Sequence, residues 1–70
     1  MTTLDLKGIA QAGGNLIVDA MHYTAFDMKN IASCLIKGAS LTIKNAKKYT
    51  ALECKGIASA APGQVFFDLL

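Results

Sequence analysis

The segment Tyr23-Thr24-Ala25-Phe26-Asp27-Met28-Lys29-Asn30-Ile31-Ala32-Ser33-Cys34, followed six residues later by Leu41-Thr42-Ile43-Lys44-Asn45, reads as one amphipathic helix and one short strand. The rest of the chain repeats it. Thr2-Thr3-Leu4-Asp5-Leu6-Lys7-Gly8-Ile9-Ala10-Gln11-Ala12 and Thr50-Ala51-Leu52-Glu53-Cys54-Lys55-Gly56-Ile57-Ala58-Ser59-Ala60 are imperfect copies of the helical part. Leu16-Ile17-Val18-Asp19 and Val65-Phe66-Phe67-Asp68 are the corresponding apolar runs. The copies begin at residues 2, 24 and 50, spacings of 22 and then 26, within the range of repeat architectures. We therefore expect a single domain of three αβ repeats, about residues 2–22, 23–48 and 49–70.

Each copy opens with a threonine followed three residues later by an acid: Thr2 and Asp5, Thr24 and Asp27, Thr50 and Glu53. A threonine hydroxyl at the N-cap accepts from the N3 amide and the N3 acid reaches back, so each pair predicts a helix start. Met1, Tyr23 and Tyr49 precede the caps and would staple onto Leu6, Met28 and Cys54. Positions N4, N7 and N8 (Leu6/Ile9/Ala10, Met28/Ile31/Ala32, Cys54/Ile57/Ala58) form a stripe that should face a core. Opposite it, N5 is Lys7, Lys29 or Lys55, and N6 is Gly8, Asn30 or Gly56, poor helix formers that make tertiary support necessary. The predicted stops are Gly13-Gly14, Lys37-Gly38 and Pro62-Gly63, which makes the second helix the longest, extended through Leu35 and Ile36.

Period-two alternation in the strands assigns Leu16, Val18, Ala20, Leu41, Ile43, Asn45, Val65, Phe67 and Leu69 to the helix-facing side. The other side then carries two rows, Ile17-Thr42-Phe66 and Asp19-Lys44-Asp68. Alternating charge in the second row favours a parallel register with the middle strand in the middle. The expected fold class is α/β: three αβ repeats stacked as a small solenoid, with a parallel three-stranded sheet and helices on one side. Helices pack farther apart than strands pair, which would curve the stack with its strands inside. The repeat spacing and the Leu41-Thr42-Ile43-Lys44-Asn45 segment resemble a short leucine-rich-repeat solenoid.

Composition narrows the function. At 70 residues the core is small, and a 53% hydrophobic content with 17% charged residues leaves apolar surface for a partner. The net charge of +2 comes from seven lysines, no arginine, four aspartates and one glutamate. Without the forked guanidinium donor, sequence-specific nucleic-acid recognition is disfavoured. No apolar run long enough for a membrane span and no signal-peptide pattern is present, which points to no membrane and to a cytoplasmic location. Cys34 and Cys54 fall on apolar helical positions with no metal or redox spacing and are expected as reduced, buried thiols.

No catalytic constellation emerges, so no enzyme, cofactor or metal site is expected. His22 is the only histidine and has no neighbouring nucleophile, and the acids at N3 already have a capping role. No phosphate-binding glycine motif surrounds Gly13-Gly14. Candidate anion-binding groups are the Lys7/Lys29/Lys55 column and Lys47 and Lys48, which with Lys44 cluster near Tyr49. Candidate partner-binding residues are Ile17, Thr42, Phe66, Asp19, Lys44, Asp68 and Leu70, which lie on the outer sheet face and at its terminal edge, where a strand flanked by Phe66, Phe67, Leu69 and Leu70 invites another strand. The expected function is a non-catalytic protein–protein interaction module, an inhibitor or adaptor for a larger bacterial protein complex. In size and lack of chemistry it is similar to small phage-encoded anti-CRISPR proteins. The alternatives are a lysine-rich nucleic-acid-binding module and a self-assembling repeat protein, including a homodimer through the C-terminal strand edge.

Overall fold

All three threonine–acid pairs close as reciprocal capping boxes in the computed structural model, which describes residues 1–70. In the first, the Asp5 N–H donates to Thr2 Oγ1 and the Thr2 N–H donates to Asp5 Oδ2, both at 3.1 Å. Thr24 with Asp27 and Thr50 with Glu53 repeat the arrangement. The helices that follow are α1 (Thr3–Gln11), α2 (Ala25–Ser33) and α3 (Ala51–Ala60), alternating with strands β1 (Leu16–Asp19), β2 (Leu41–Lys44) and β3 (Val65–Phe67).

The strands form one parallel sheet in the order β1-β2-β3. The register is the one predicted: Ile17 pairs with Thr42 and Thr42 with Phe66, while Asp19 pairs with Lys44. Beyond the end of β3, the Asp68 N–H still donates to the Ile43 carbonyl and the Asp68 carbonyl accepts from Ala46 N–H, so Asp68 completes its row.

One sheet face carries Val18, Leu41 and Ile43 into the same core cluster as Leu6, Met28, Ile31 and Ile57 of the helices. Met28, Ile31, Leu41 and Ile43 are fully buried, each contributing about 1.5–3 kcal/mol of hydrophobic stabilisation. On the helix stripe, Leu6, Ala10, Met28, Ile31, Ala32 and Ile57 are buried, whereas Ile9, Cys54 and Ala58 are half-buried.

Four expectations are corrected. Helix α2 stops at Ser33, with Cys34 as its C-cap, so α3 rather than α2 is the longest. Leu35 and Ile36 belong to the connection, where the carbonyls of Ile36 and Ala39 accept from Gln64 Nε2 at 2.7 and 2.8 Å. A distant glutamine thus satisfies backbone that the local pattern assigned to a helix. Asn45 does not face the core: it is exposed, in the left-handed region at φ 58° that asparagine tolerates, and Ala46 after it takes the buried place. A short 3-10 turn, Ala46–Lys48, follows. Leu69 keeps to the helix-facing side, where it lines a groove with Ala51 and Cys54 of α3, although it is 56% exposed there. Finally, Met1 is exposed and does not act as a staple, and the two free cysteines are half-buried rather than buried.

The tyrosines at the staple position have an unforeseen second role. The Tyr23 hydroxyl donates to the Met1 carbonyl, and the Tyr49 hydroxyl donates to the Tyr23 carbonyl. Each tyrosine therefore bonds to the residue occupying its own position in the preceding copy. These two bonds tie the entrances of the three helices together across the chain. Burial, reinforced by the nearby Asp27 and Glu53 charges, pushes the Tyr49 phenol up to about 12.

Candidate functional site

The solvent face of the sheet is built from the strand residues that alternation turns away from the helices. Ile17 is 72% exposed and Phe66 57% exposed, with half-buried Thr42 between them in register. Neighbours in such a row stand about 4.8 Å apart, so two large apolar side chains flank a threonine on a fixed backbone. The adjoining row is Asp19-Lys44-Asp68.

The charged row is held differently from the way sign alternation suggested. The Asp19 carboxylate accepts from Asn45 Nδ2 at 2.9 Å and from Met21 N–H at 2.8 Å. The Asn45 bond, followed by the Met21 bond, holds the Asp19 carboxyl below its ordinary range, with smaller contributions from His22 and Lys44. Lys44 is therefore a secondary influence on Asp19, and its side chain is exposed. At the other end of the row, Asp68 Oδ1 accepts from Leu70 N–H at 3.1 Å. Asp19 and Asp68 thus make the same turn, each capturing the amide two residues on and ending its strand. Leu70, tied by that turn, is fully exposed, and the tail does not fold over the core.

The predicted lysines do not converge into one site. Lys7 is half-buried and Lys29 and Lys55 are exposed, one on each helix at N5. Lys44 lies at the end of β2, while Lys47 and Lys48 occupy the 3-10 turn. Lys48 Nζ donates to the Ala20 carbonyl at 3.3 Å, which binds that turn to the end of β1. Its first partner is the protein itself.

Two features escaped the sequence reading. At N2 of the three helices, Leu4, Phe26 and Leu52 are all strongly exposed, an apolar column beside the N5 lysines. Phe26, Lys29 and Leu52 border an open groove of about 310 Å³ between α2 and α3. The signal was available, since the same position is apolar in every copy. The second feature is an apolar groove of about 550 Å³ beside β3, lined by Lys47, Tyr49, Ala51, Cys54, Phe67 and Leu69. Burial, then the neighbouring Glu53, raises the Cys54 thiol, which disfavours a reactive thiolate there.

No group of histidine, cysteine and acidic side chains in the structure has the arrangement of a metal site, and no helix is long and apolar enough to cross a membrane. Comparison of the chain with protein-family models, with curated proteins and with solved structures finds no match.

Proposed function

We propose that this chain is a short αβ solenoid of the leucine-rich-repeat kind that works as a non-catalytic protein–protein interaction module. In this reading it is a small cytoplasmic inhibitor or adaptor that covers a surface of a larger bacterial protein complex, in the manner of phage-encoded anti-CRISPR proteins. The observation that carries the reading is the row Ile17-Thr42-Phe66, whose outer members are large, apolar and well exposed on a rigid sheet. The charged row beside it supplies a polar rim, as interfaces require. Copurification from a bacterial lysate tests the reading. A single complex should be retained by the wild-type chain and lost with Ile17→Glu and with Phe66→Glu, while Leu4→Glu on the helix layer keeps it. Retention of nothing at any salt concentration overturns the proposal.

A second reading, a lysine-rich nucleic-acid-binding module, is supported by the single N5 lysine on each helix. It requires binding that weakens steeply with salt and with Lys29→Glu and Lys47→Glu. A salt-independent signal disposes of it.

A further inference from the structure

We infer that the outer edge of β3 is a self-association surface, at which a second copy of this chain adds its own β3 antiparallel about a two-fold axis. This goes beyond the proposed function, which rests on the sheet face, and gives the homodimer expected at the C-terminal strand edge a definite register and symmetry.

The backbone hydrogen bonds joining β3 to β2 include Leu41 N–H to the Gln64 carbonyl, Asp68 N–H to Ile43, and Ala46 N–H to the Asp68 carbonyl. On the β3 side they use even-numbered residues, so strand alternation aims the N–H and C=O groups of Val65 and Phe67 away from β2. Nothing lies beyond β3 in the sheet order β1-β2-β3. Apart from its three-residue length, the edge carries none of the usual protections: Val65-Phe66-Phe67 contains no charge, no proline and no bulge. The opposite edge differs, since β1 presents Asp19 there, with its carboxylate fixed by Asn45 and Met21.

An antiparallel pair centred on Phe66 satisfies the free groups completely. Val65 of one copy then faces Phe67 of the other in a doubly hydrogen-bonded pair, and Phe66 faces Phe66 in the closer, non-hydrogen-bonded kind. On the inner face, the second copy's Val65 arrives against Phe67, a wall of the 550 Å³ apolar groove. The following pair sets Asp68 against neutral Gln64. The competing head-to-tail arrangement, with β1 of a second copy parallel to β3 in the sheet's own register, would put Asp19 beside Asp68. Like charges in that position are destabilising. The two-fold arrangement is also closed, whereas head-to-tail addition continues without limit.

The experiment is sedimentation of the 70-residue chain over a concentration series, combined with cysteine cross-linking. The wild-type mass should rise from 7.4 kDa to twice that value and no further. Val65→Pro removes an outward N–H without touching a bond to β2 and should leave a folded monomer by circular dichroism. In a Cys34→Ala, Cys54→Ala background, Phe66→Cys should oxidise to a disulfide-linked dimer, since non-hydrogen-bonded antiparallel pairs bring Cα atoms to about 4.5 Å. Ile17→Cys in the same background should not. If Val65→Pro fails to fold, the cross-link decides alone. A chain that stays monomeric up to roughly millimolar concentration overturns the inference and leaves the edge to a different partner. A mixed disulfide between the Phe66→Cys and Ile17→Cys chains shows head-to-tail stacking and also overturns it. Neither result bears on retention of a partner by the sheet face, which Ile17→Glu reports separately.

Discussion

The second and third copies of the motif begin with the same capping box, yet they end in different environments. In α2 the stripe Met28, Ile31 and Ala32 is completely buried, while in α3 the matching Cys54 and Ala58 are only half-buried. Leu41 and Ile43 of β2 are sealed on both sides, whereas Val65 and Phe67 of β3 are half-buried and Phe66 and Leu69 are exposed. The motif therefore sets which residues point inward. Between these two copies the depth of burial follows the number of packed flanks, whereas β1, also at an edge, still buries Val18 and, just past its end, Ala20.

The strongest way to break this comparison is one substitution made at two matched positions. Leu16 and Leu41 are register partners in β1 and β2, but Leu41 is fully buried and Leu16 is half-buried. We expect Leu41→Ala to cost about 2–5 kcal/mol, a large share of the roughly 4–10 kcal/mol available to a domain of this size. Leu16→Ala should cost less than half as much. Urea unfolding midpoints measure both, and equal losses would mean that flanking neighbours do not govern burial.

A second measurement sharpens the comparison at the junction between the two copies. Tyr49 bonds to the Tyr23 carbonyl, and its phenol is pushed up to about 12 from 10.0. A phenol whose folded value lies above its unfolded value contributes stability that is complete below pH 10 and is lost as pH rises toward 12. Wild type should therefore exceed Tyr49→Phe in stability at neutral pH and lose that advantage across this window. Parallel stability–pH curves for the two proteins would contradict the assignment.

The caps provide a control in which the copies should not differ. Thr2→Ala, Thr24→Ala and Thr50→Ala each remove the same hydroxyl acceptor, at 3.1 Å in every case, and each should cost about 1 kcal/mol. A markedly larger loss at Thr24, read from thermal unfolding, would show that cap strength also follows the surroundings. The smallest expected effect has the opposite sign. A Cβ at Gly56 would meet nothing within 4 Å, so Gly56→Ala should stabilise α3 by about 0.5–1 kcal/mol. Loss of stability there would reveal an occupied surface.

Much of the fold was legible because it depends on short-range chemistry. A threonine and an acid three residues apart close a cap within a single turn, and alternation over four residues decides which face of a strand is apolar. The row Ile17-Thr42-Phe66 followed directly once the register was drawn. The errors fell where a distant residue intervenes. Beyond the end of α2, Gln64 captures the carbonyls of Ile36 and Ala39 in the connection, and Asn45 leaves the strand pattern through a left-handed turn that reaches Asp19. The exposed column Leu4, Phe26 and Leu52 was readable too, since N2 is apolar in every copy and lies off the N4, N7 and N8 stripe.

The sequence by itself determined where the helices start, where the strands lie, and that the strands meet in a parallel sheet, because each of these rests on hydrogen bonds or side-chain alternation repeated in every copy. Only the tertiary structure decided that the tyrosines bond from copy to copy, that Asn45 rather than Lys44 is the main partner of Asp19, and that an apolar groove lies beside the edge strand β3. Those outcomes depend on which side chains from distant parts of the chain arrive within bonding distance, and spacing along a single chain does not encode that.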